Sequence, residues 1–254
     1  MKAQLGNTYA ALESALRAIP DEIGGKKPRA VLVVSGHWEE REFTVMAGER
    51  PPMIYDYSGF PPHTYEIRYA APGAPEVAGR VGALLKAAGL PAYLDPGRGY
   101  DHGTFVPLYA IYPDADVPVL QLSIKRGYDP AGHIAAGRAI AALRGEDVLI
   151  VGSGLSYHNL RHMGASAHDA SKAFDDWLQQ TLVDSDPQTR EKRLLEWDRA
   201  PSARIAHPEE DHLIPLMVAV GAAWDEKAVC IHHEEAFFGG VVVSSFRFGT
   251  PRLS

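Results

Sequence analysis

The sequence predicts an α/β domain, and three observations carry that prediction. Strand-like apolar runs alternate with helix-period segments through most of the chain. Two of those runs, AVLVVS (Ala30–Ser35) and DVLIV (Asp147–Val151), are nearly continuous in apolar residues, as in strands covered on both faces. No internal repeat, low-complexity tract or shift in composition divides the 254 residues, so one domain is expected.

The elements follow in order. Asn7–Ile19 reads as a helix, with Leu12, Ala15, Leu16 and Ile19 at helical spacing and Pro20 closing it. Ala30–Ser35 is a strand and Phe43–Met46 its neighbour. Pro51–Pro75, dense in Pro, Tyr and Gly, reads as a long loop, and long loops inside compact domains tend to be functional. Glu76–Ala88 is a helix closed by Gly89, Ala92–Leu94 a short strand, and Pro96–Gly103 a Gly-rich loop. Val117–Ile124 is a strand and His133–Leu143 a helix; Asp147–Val151 is a buried strand opening into the loop Gly152–Asn159. Helices are expected over Ala167–Val183, Thr189–Trp197 and Glu209–Ala222, and closing strands over Val229–His232 and Gly240–Phe248.

Composition narrows the function. Lys plus Arg number 25 against 32 Asp plus Glu, a net charge of −7, so the basic footprint of a nucleic-acid binder is missing. No apolar run approaches the roughly 18 residues of a membrane span. The N-terminal segment lacks the apolar core of a signal peptide. The single cysteine, Cys230, removes disulfides and cysteine-based zinc sites and suits a reducing compartment, so a cytoplasmic protein is expected. With 11 histidines available, any metal has to be held by imidazole and carboxylate.

Four histidines sit after strands or in Gly/Pro loops: His37 in VVSGHW, His102 in GYDHGTF, His158 in GSGLSYHNL and His212 in HPEEDHLIPL. Ligands of open α/β sheets bind beyond the carboxyl ends of strands, where His37 and His158 both fall. Two strand ends that each deliver an imidazole suit a mononuclear metal or an acid/base site. His212, among Glu209, Glu210 and Asp211, also reads as part of a solvated acidic turn. HExxH and Walker motifs are absent, and Gly152–Ser156 is GSGLS, not GxSxG. Ser153 or Ser156 lies too close to His158 for an ordinary triad. His232 and His233, adjacent on a strand, point to opposite faces and cannot easily share an ion. Spacing alone therefore gives a His-rich metal or acid/base site without naming the reaction.

The blocks VVSGHW (Val33–Trp38), PPMIYDYSGFP (Pro51–Pro61), YAAPGAP (Tyr69–Pro75), YDHGTFVPL (Tyr100–Leu108), YPDADVPVLQLSI (Tyr112–Ile124), SGLSYHNL (Ser153–Leu160) and PEEDHLIPL (Pro208–Leu216) occur in one order from about Ala30 onward. As a set they resemble the extradiol aromatic ring-opening dioxygenases of the DOPA-dioxygenase type, related to the catalytic subunit of protocatechuate 4,5-dioxygenase. The resemblance implies a single catalytic domain over residues 1–254, an α/β/α sandwich with a central mixed sheet. It implies a non-haem Fe(II) site with His37 and His212 as metal ligands. His158 matches a residue that stands beside the metal as acid/base and is also counted as a ligand, and His102 one that faces the substrate hydroxyl or bound oxygen. Tyr55 and Phe60, with Tyr57 and Tyr65, are expected to wall the aromatic pocket. The implied reactants are a catechol and O2, with a monomer or homodimer and no membrane or nucleic-acid partner.

One departure stands out. The family's first strand, with an HGSP-type block whose His is a further metal ligand, has no counterpart, because Met1–Tyr9 resembles the helix that follows it. The expectation is a site short of one imidazole, binding metal weakly or as Zn(II) and turning over slowly, with His63 the candidate substitute. Two other readings stand beside it: a binding or scaffold protein with a degraded site, and a zinc-dependent hydrolase.

Overall fold

A computed structural model of the protein describes residues Thr8–Thr250. In chain order it contains α1 (Ala10–Glu22), β1 (Ala30–Glu40), β2 (Phe43–Met46), α2 (Pro75–Ala87) and β3 (Ala92–Asp95). There follow α3 (His102–Ile111), β4 (Val119–Lys125), α4 (Pro130–Ile140), β5 (Val148–Ser153) and α5 (His168–Gln179). The last elements are α6 (Pro187–Leu195), α7 (Ala203–Ala206), α8 (Ile214–Ala222), β6 (Ala228–Phe237) and β7 (Val241–Phe248).

The apolar run at Ala30 lies deep in the sheet. Residues Ala30–Val34 of β1 are fully buried, flanked by β4 and β5, both parallel to it. The five-stranded order is β3-β2-β4-β1-β5, with β2 antiparallel to β4, so the sheet is mixed. β6 and β7 form a separate antiparallel pair. Contacts group α2, α4 and α8 on one face of the large sheet, and α1 and α3 on the other. This is the expected α/β domain with a central mixed sheet between helices.

Several expectations are corrected. β2 is not beside β1, since β4 lies between them. The cause is a widening in β1: residues 35–38 stand opposite Ser123 alone, and the strand end then pairs Glu39 with Ile124 and Glu40 with Lys125. The chain thus crosses the end of β4 and returns along its far edge. Pro20 lies inside α1, costing one hydrogen bond without ending the helix, and the predicted start at Asn7 lies outside the described residues. α4 starts earlier than expected, because the Asp129 carboxylate caps Ala131 and Gly132 ahead of His133.

α3 was not legible at all. Its sequence HGTFVPLYAI is apolar nearly all round, so it lacks an amphipathic period. Asp101 caps it by accepting from the Thr104 N–H. Pro107 denies the Gly103 carbonyl its helical donor, and the Ser153 hydroxyl at the end of β5 donates there instead. Residues 209–213, expected as helix, form turns, and the helix starts only at Ile214 with Pro215 in its first turn. No helix among the described residues is long and apolar enough to cross a membrane.

Candidate active site

The four histidines converge. His37 sits in the widened stretch of β1, and His102 is the first residue of α3. His158 follows β5, and His212 lies on the turn before α8. All four line one cavity. His37 Nε2 and His212 Nε2 are 3.1 Å apart. The His158 ring stacks on His212 with centroids 3.3 Å apart, and His102 lies 3.9 Å from His37.

Backbone packing makes this approach possible. A Cβ on Gly36 would stand 2.8 Å from the Asp211 carbonyl oxygen, and one on Gly154 only 2.0 Å from that of His212. Glycine at both positions lets the 211–212 turn lie directly on the ends of β1 and β5. His158 is held through its backbone N–H, which donates to the Ala206 carbonyl at 2.9 Å.

Two carboxylates brace the rings from behind. Asp211 Oδ2 is 2.6 Å from His212 Nδ1. Asp56 serves two rings, with Oδ1 2.8 Å from His102 Nδ1 and Oδ2 3.4 Å from His37 Nδ1. A carboxylate at Nδ1 fixes the proton there and leaves Nε2 free to ligate. Behind α3, the buried Asp101 also accepts from Ser35 Oγ, Gln121 Nε2 and Arg98, tying the start of that helix to β1 and β4.

Burial and neighbouring rings keep His37 and His158 neutral near pH 7. Burial first, then the neighbouring His102 and His212, push His37 down to about 4. Burial and His212 push His158 down to about 4 as well. For Asp56 burial acts upward, yet hydrogen bonds from the His102 ring and backbone hold it at about 2. Asp211 is lowered too, its bond from His212 outweighing burial.

The donor set fits a divalent ion. Two nitrogens each about 2.1 Å from one ion stand about 3.0–3.4 Å apart at angles between octahedral and tetrahedral, and the His37–His212 separation of 3.1 Å falls in that range. His37, Asp56 and His102, and likewise His158, Asp211 and His212, each place three potential ligand atoms within 4.8 Å of one another.

Of the aromatic residues expected around a substrate, Phe60 and Tyr57 line the cavity, and Tyr57 meets the His102 ring edge-on at 5.5 Å. Tyr55 is not among the lining residues; its hydroxyl donates to the Ile67 carbonyl at 2.7 Å. His63 lies exposed on a 3-10 turn, away from the cavity lining. Sequence reasoning missed Asp56 and gave Asp211 only a solvated role. Their signal was present, since each carboxylate sits in a block that also carries the resemblance, YDYSGFP and PEEDHLIPL.

Imidazoles and carboxylates converging beyond the strand ends of an open α/β sheet are the donor set of a metal-dependent α/β enzyme. Residues 4–248 match the family described as the catalytic LigB subunit of aromatic ring-opening dioxygenase, and the chain belongs to that family. It is a dioxygenase enzyme. It is 38% identical over 234 residues to a 4,5-DOPA dioxygenase extradiol of Beta vulgaris, covering 90% of this chain and 85% of that protein. A protein of the same name from Escherichia coli (strain K12) is 36% identical over 229 residues, covering 88% of this chain and 83% of the other. Dioxygenase tasH of Hapsidospora irregularis is 37% identical, covering 88% of this chain and 72% of its own length. Among solved structures, the uncharacterized protein JW3007 from Escherichia coli K12 superposes with a TM-score of 0.77 at 30% identity, covering 93% of this chain and 92% of that one.

Proposed function

We propose that this protein is an Fe(II)-dependent extradiol dioxygenase that opens a catechol ring of the DOPA or protocatechuate kind beside its diol, with residues 1–254 as one catalytic domain. The observation that carries this reading is the Nε2–Nε2 approach of His37 and His212, with Asp56 and Asp211 behind their Nδ1 atoms. His37 and His212 hold the metal, with His158 in reach as a third imidazole. When bound, the metal supplies positive charge that favours the deprotonated diol and a common site for both reactants.

The chain's own residues do the rest. His158 is neutral near pH 7, so it takes the catechol proton at a ring nitrogen and returns it when the ring opens. His102, its Nδ1 fixed on Asp56, faces the substrate hydroxyl or oxygen. Tyr57 and Phe60 wall the aromatic ring, with Tyr55 packed behind them, and limit water around the diol. Both oxygen atoms of O2 enter the product and one ring carbon–carbon bond beside the diol breaks, so no external reductant is needed. A muconic semialdehyde results. Purified protein carrying Zn(II) is compatible with the same ligands, because divalent zinc outranks iron for imidazole sites. The single free Cys230 supports a cytoplasmic setting.

The test is anaerobic loading with Fe(II), then air and L-DOPA, protocatechuate or caffeate. A yellow semialdehyde, with one O2 consumed per substrate, is the expected result. Bound iron with no colour across a broad catechol panel overturns the proposal.

A further inference from the structure

His37 and His102 stand ring against ring, yet the backbone that carries His37 leaves the ladders of the sheet. β1 pairs with β5 only as far as Ser35 and with β4 as far as Val34, and its ladder with β4 resumes at Glu39. Gly36, His37 and Trp38 therefore lie in the widened stretch with no partner in either ladder. The strand is least constrained by the sheet at the point where the imidazole is attached.

Two hydroxyls supply the missing constraint. Ser35 pairs with Ser153 at the carboxyl ends of β1 and β5. Partners in register on parallel strands share a face, and α3 packs on both strands. The Ser35 hydroxyl donates to Asp101 Oδ1 at 2.8 Å and accepts from the His37 N–H at 3.2 Å. The Ser153 hydroxyl donates to the Gly103 carbonyl, the one that Pro107 leaves without a helical donor. The two bonds thus land on the residues either side of His102. Glycine at 103 permits the approach, since a Cβ there would stand 2.5 Å from Ser35 Oγ and 2.8 Å from His37 Cδ2. Ser35 and Asp101 are fully buried, where an unmade hydrogen bond is costly.

We propose that Ser35 and Ser153 are positioning residues: together they fix the first turn of α3 on the ends of β1 and β5, and so set how the substrate-facing His102 stands against the metal-holding His37. Ser35 contributes more than Ser153, because its one hydroxyl spans from the Asp101 carboxylate to the His37 backbone. The same carboxylate receives Arg98 through Oδ2 at 2.6 Å. That guanidinium lies over the Trp38 ring, 4.8 Å from its centroid, and supports the stability of the carboxylate, not the alignment of the two imidazoles. The catalytic consequence rests on the catechol-opening reading; the alignment itself does not.

Three variants test this: Ser35→Ala, Ser153→Ala and, as a control for stability, Arg98→Met. Each is loaded with Fe(II) for kinetics and with Co(II) for affinity. The metal-free forms, labelled in their histidine rings, are read by NMR for cross-relaxation between His37 and His102, whose ring centroids lie 3.9 Å apart. Ser35→Ala should lower kcat about tenfold or more, because small misplacements of a reacting group cost that much, while KM and Co(II) affinity hold. Ser153→Ala should do the same to a smaller extent, and in both the ring-to-ring signal should weaken. Arg98→Met should lose the most Tm, since it leaves a buried carboxylate without its cation, yet keep the parent's kcat and ring-to-ring signal. A kcat that follows Tm across all three variants makes the serines merely structural and overturns the proposal, as does an undiminished ring-to-ring signal in Ser35→Ala. Should Ser35→Ala fail to fold, Ser153→Ala, at a half-buried position, decides by the same two readings. If the parent opens no catechol, the function proposed above fails, and the ring-to-ring signal still decides the alignment.

Discussion

The two halves of the histidine cluster are built differently. His37 and His102 stand on regular elements, β1 and the first turn of α3, and share Asp56, whose two oxygens reach one ring each. His158 and His212 stand on loops, and there Asp211 reaches His212 while His158 is fixed by stacking and by its backbone. Rings braced at Nδ1 by a carboxylate are suited to fixed tasks such as ligation. A ring held by its neighbour's face keeps its nitrogens available to exchange a proton. Under the proposed function, His37 and His212, one carboxylate-braced ring from each half, hold the metal, and the unbraced His158 carries the proton.

The largest effect expected is from His37→Ala and His212→Ala. Each should remove bound metal and with it detectable ring opening, measured by elemental analysis and by semialdehyde absorbance. If either variant keeps metal at the level of the parent, that half does not supply a ligand. Next comes His158→Gln, for which turnover should fall about 10²–10⁴-fold, the usual contribution of a general acid/base, with metal content retained. Metal loss equal to that of His37→Ala would instead place His158 among the ligands.

The carboxylates come third. Asp211→Asn should weaken metal binding about 10–100-fold, the range for an outer partner of a ligating His. Asp56→Asn should weaken it less, because its contact with His37 is 3.4 Å against 2.6 Å between Asp211 and His212. Titration with Co(II) followed by absorbance reads both affinities without catalysis. The reverse order would mean that the half built on regular elements dominates the metal.

What the sequence made legible follows the same division. AVLVVS and DVLIV both read as strands, and both pair as strands. Local pattern carries no information about the second edge, so β1 lies fully buried at Ala30–Val34 while Leu149–Val151 of β5 remain partly exposed. His37 and His158 could be placed at strand ends because apolar runs precede them. His102 could not be placed on a helix, since α3 shows no amphipathic period. His212 read equally well as part of a solvated turn, and only the packing of that turn on Gly36 and Gly154 buries it. Asp56 and Asp211 act across the chain or against a neighbouring ring, which spacing does not reveal. The β1–β2 crossing of β4 depends on a widened register that no run of residue types announces.

The smallest effect expected is a pH dependence of stability, and it too distinguishes the halves. His207 is fully buried under the loop half, its Nε2 3.1 Å from the Ser156 carbonyl, and burial pushes it down to about 4. His133, also buried and lowered, accepts from the Lys125 N–H at the end of β4, nearer the other half. A histidine lowered in the folded state takes up its proton in the unfolded chain first. Its stabilising contribution is therefore complete above the unfolded value of about 6.5 and is lost as pH falls toward the folded one. For His207 that loss amounts to roughly 3 kcal/mol between about pH 6.5 and 4. Urea unfolding of the metal-free protein from pH 7 to 4.5 should show falling stability. His207→Gln should be less stable at pH 7, with a gap to the parent that closes as the pH drops. Hydrogen exchange in acid should quicken first at residues 154–159, before Lys125, and the substitution should abolish that order. Parallel stability curves for parent and variant would remove His207 as the titrating group and leave the acid sensitivity with His133 and the sheet half.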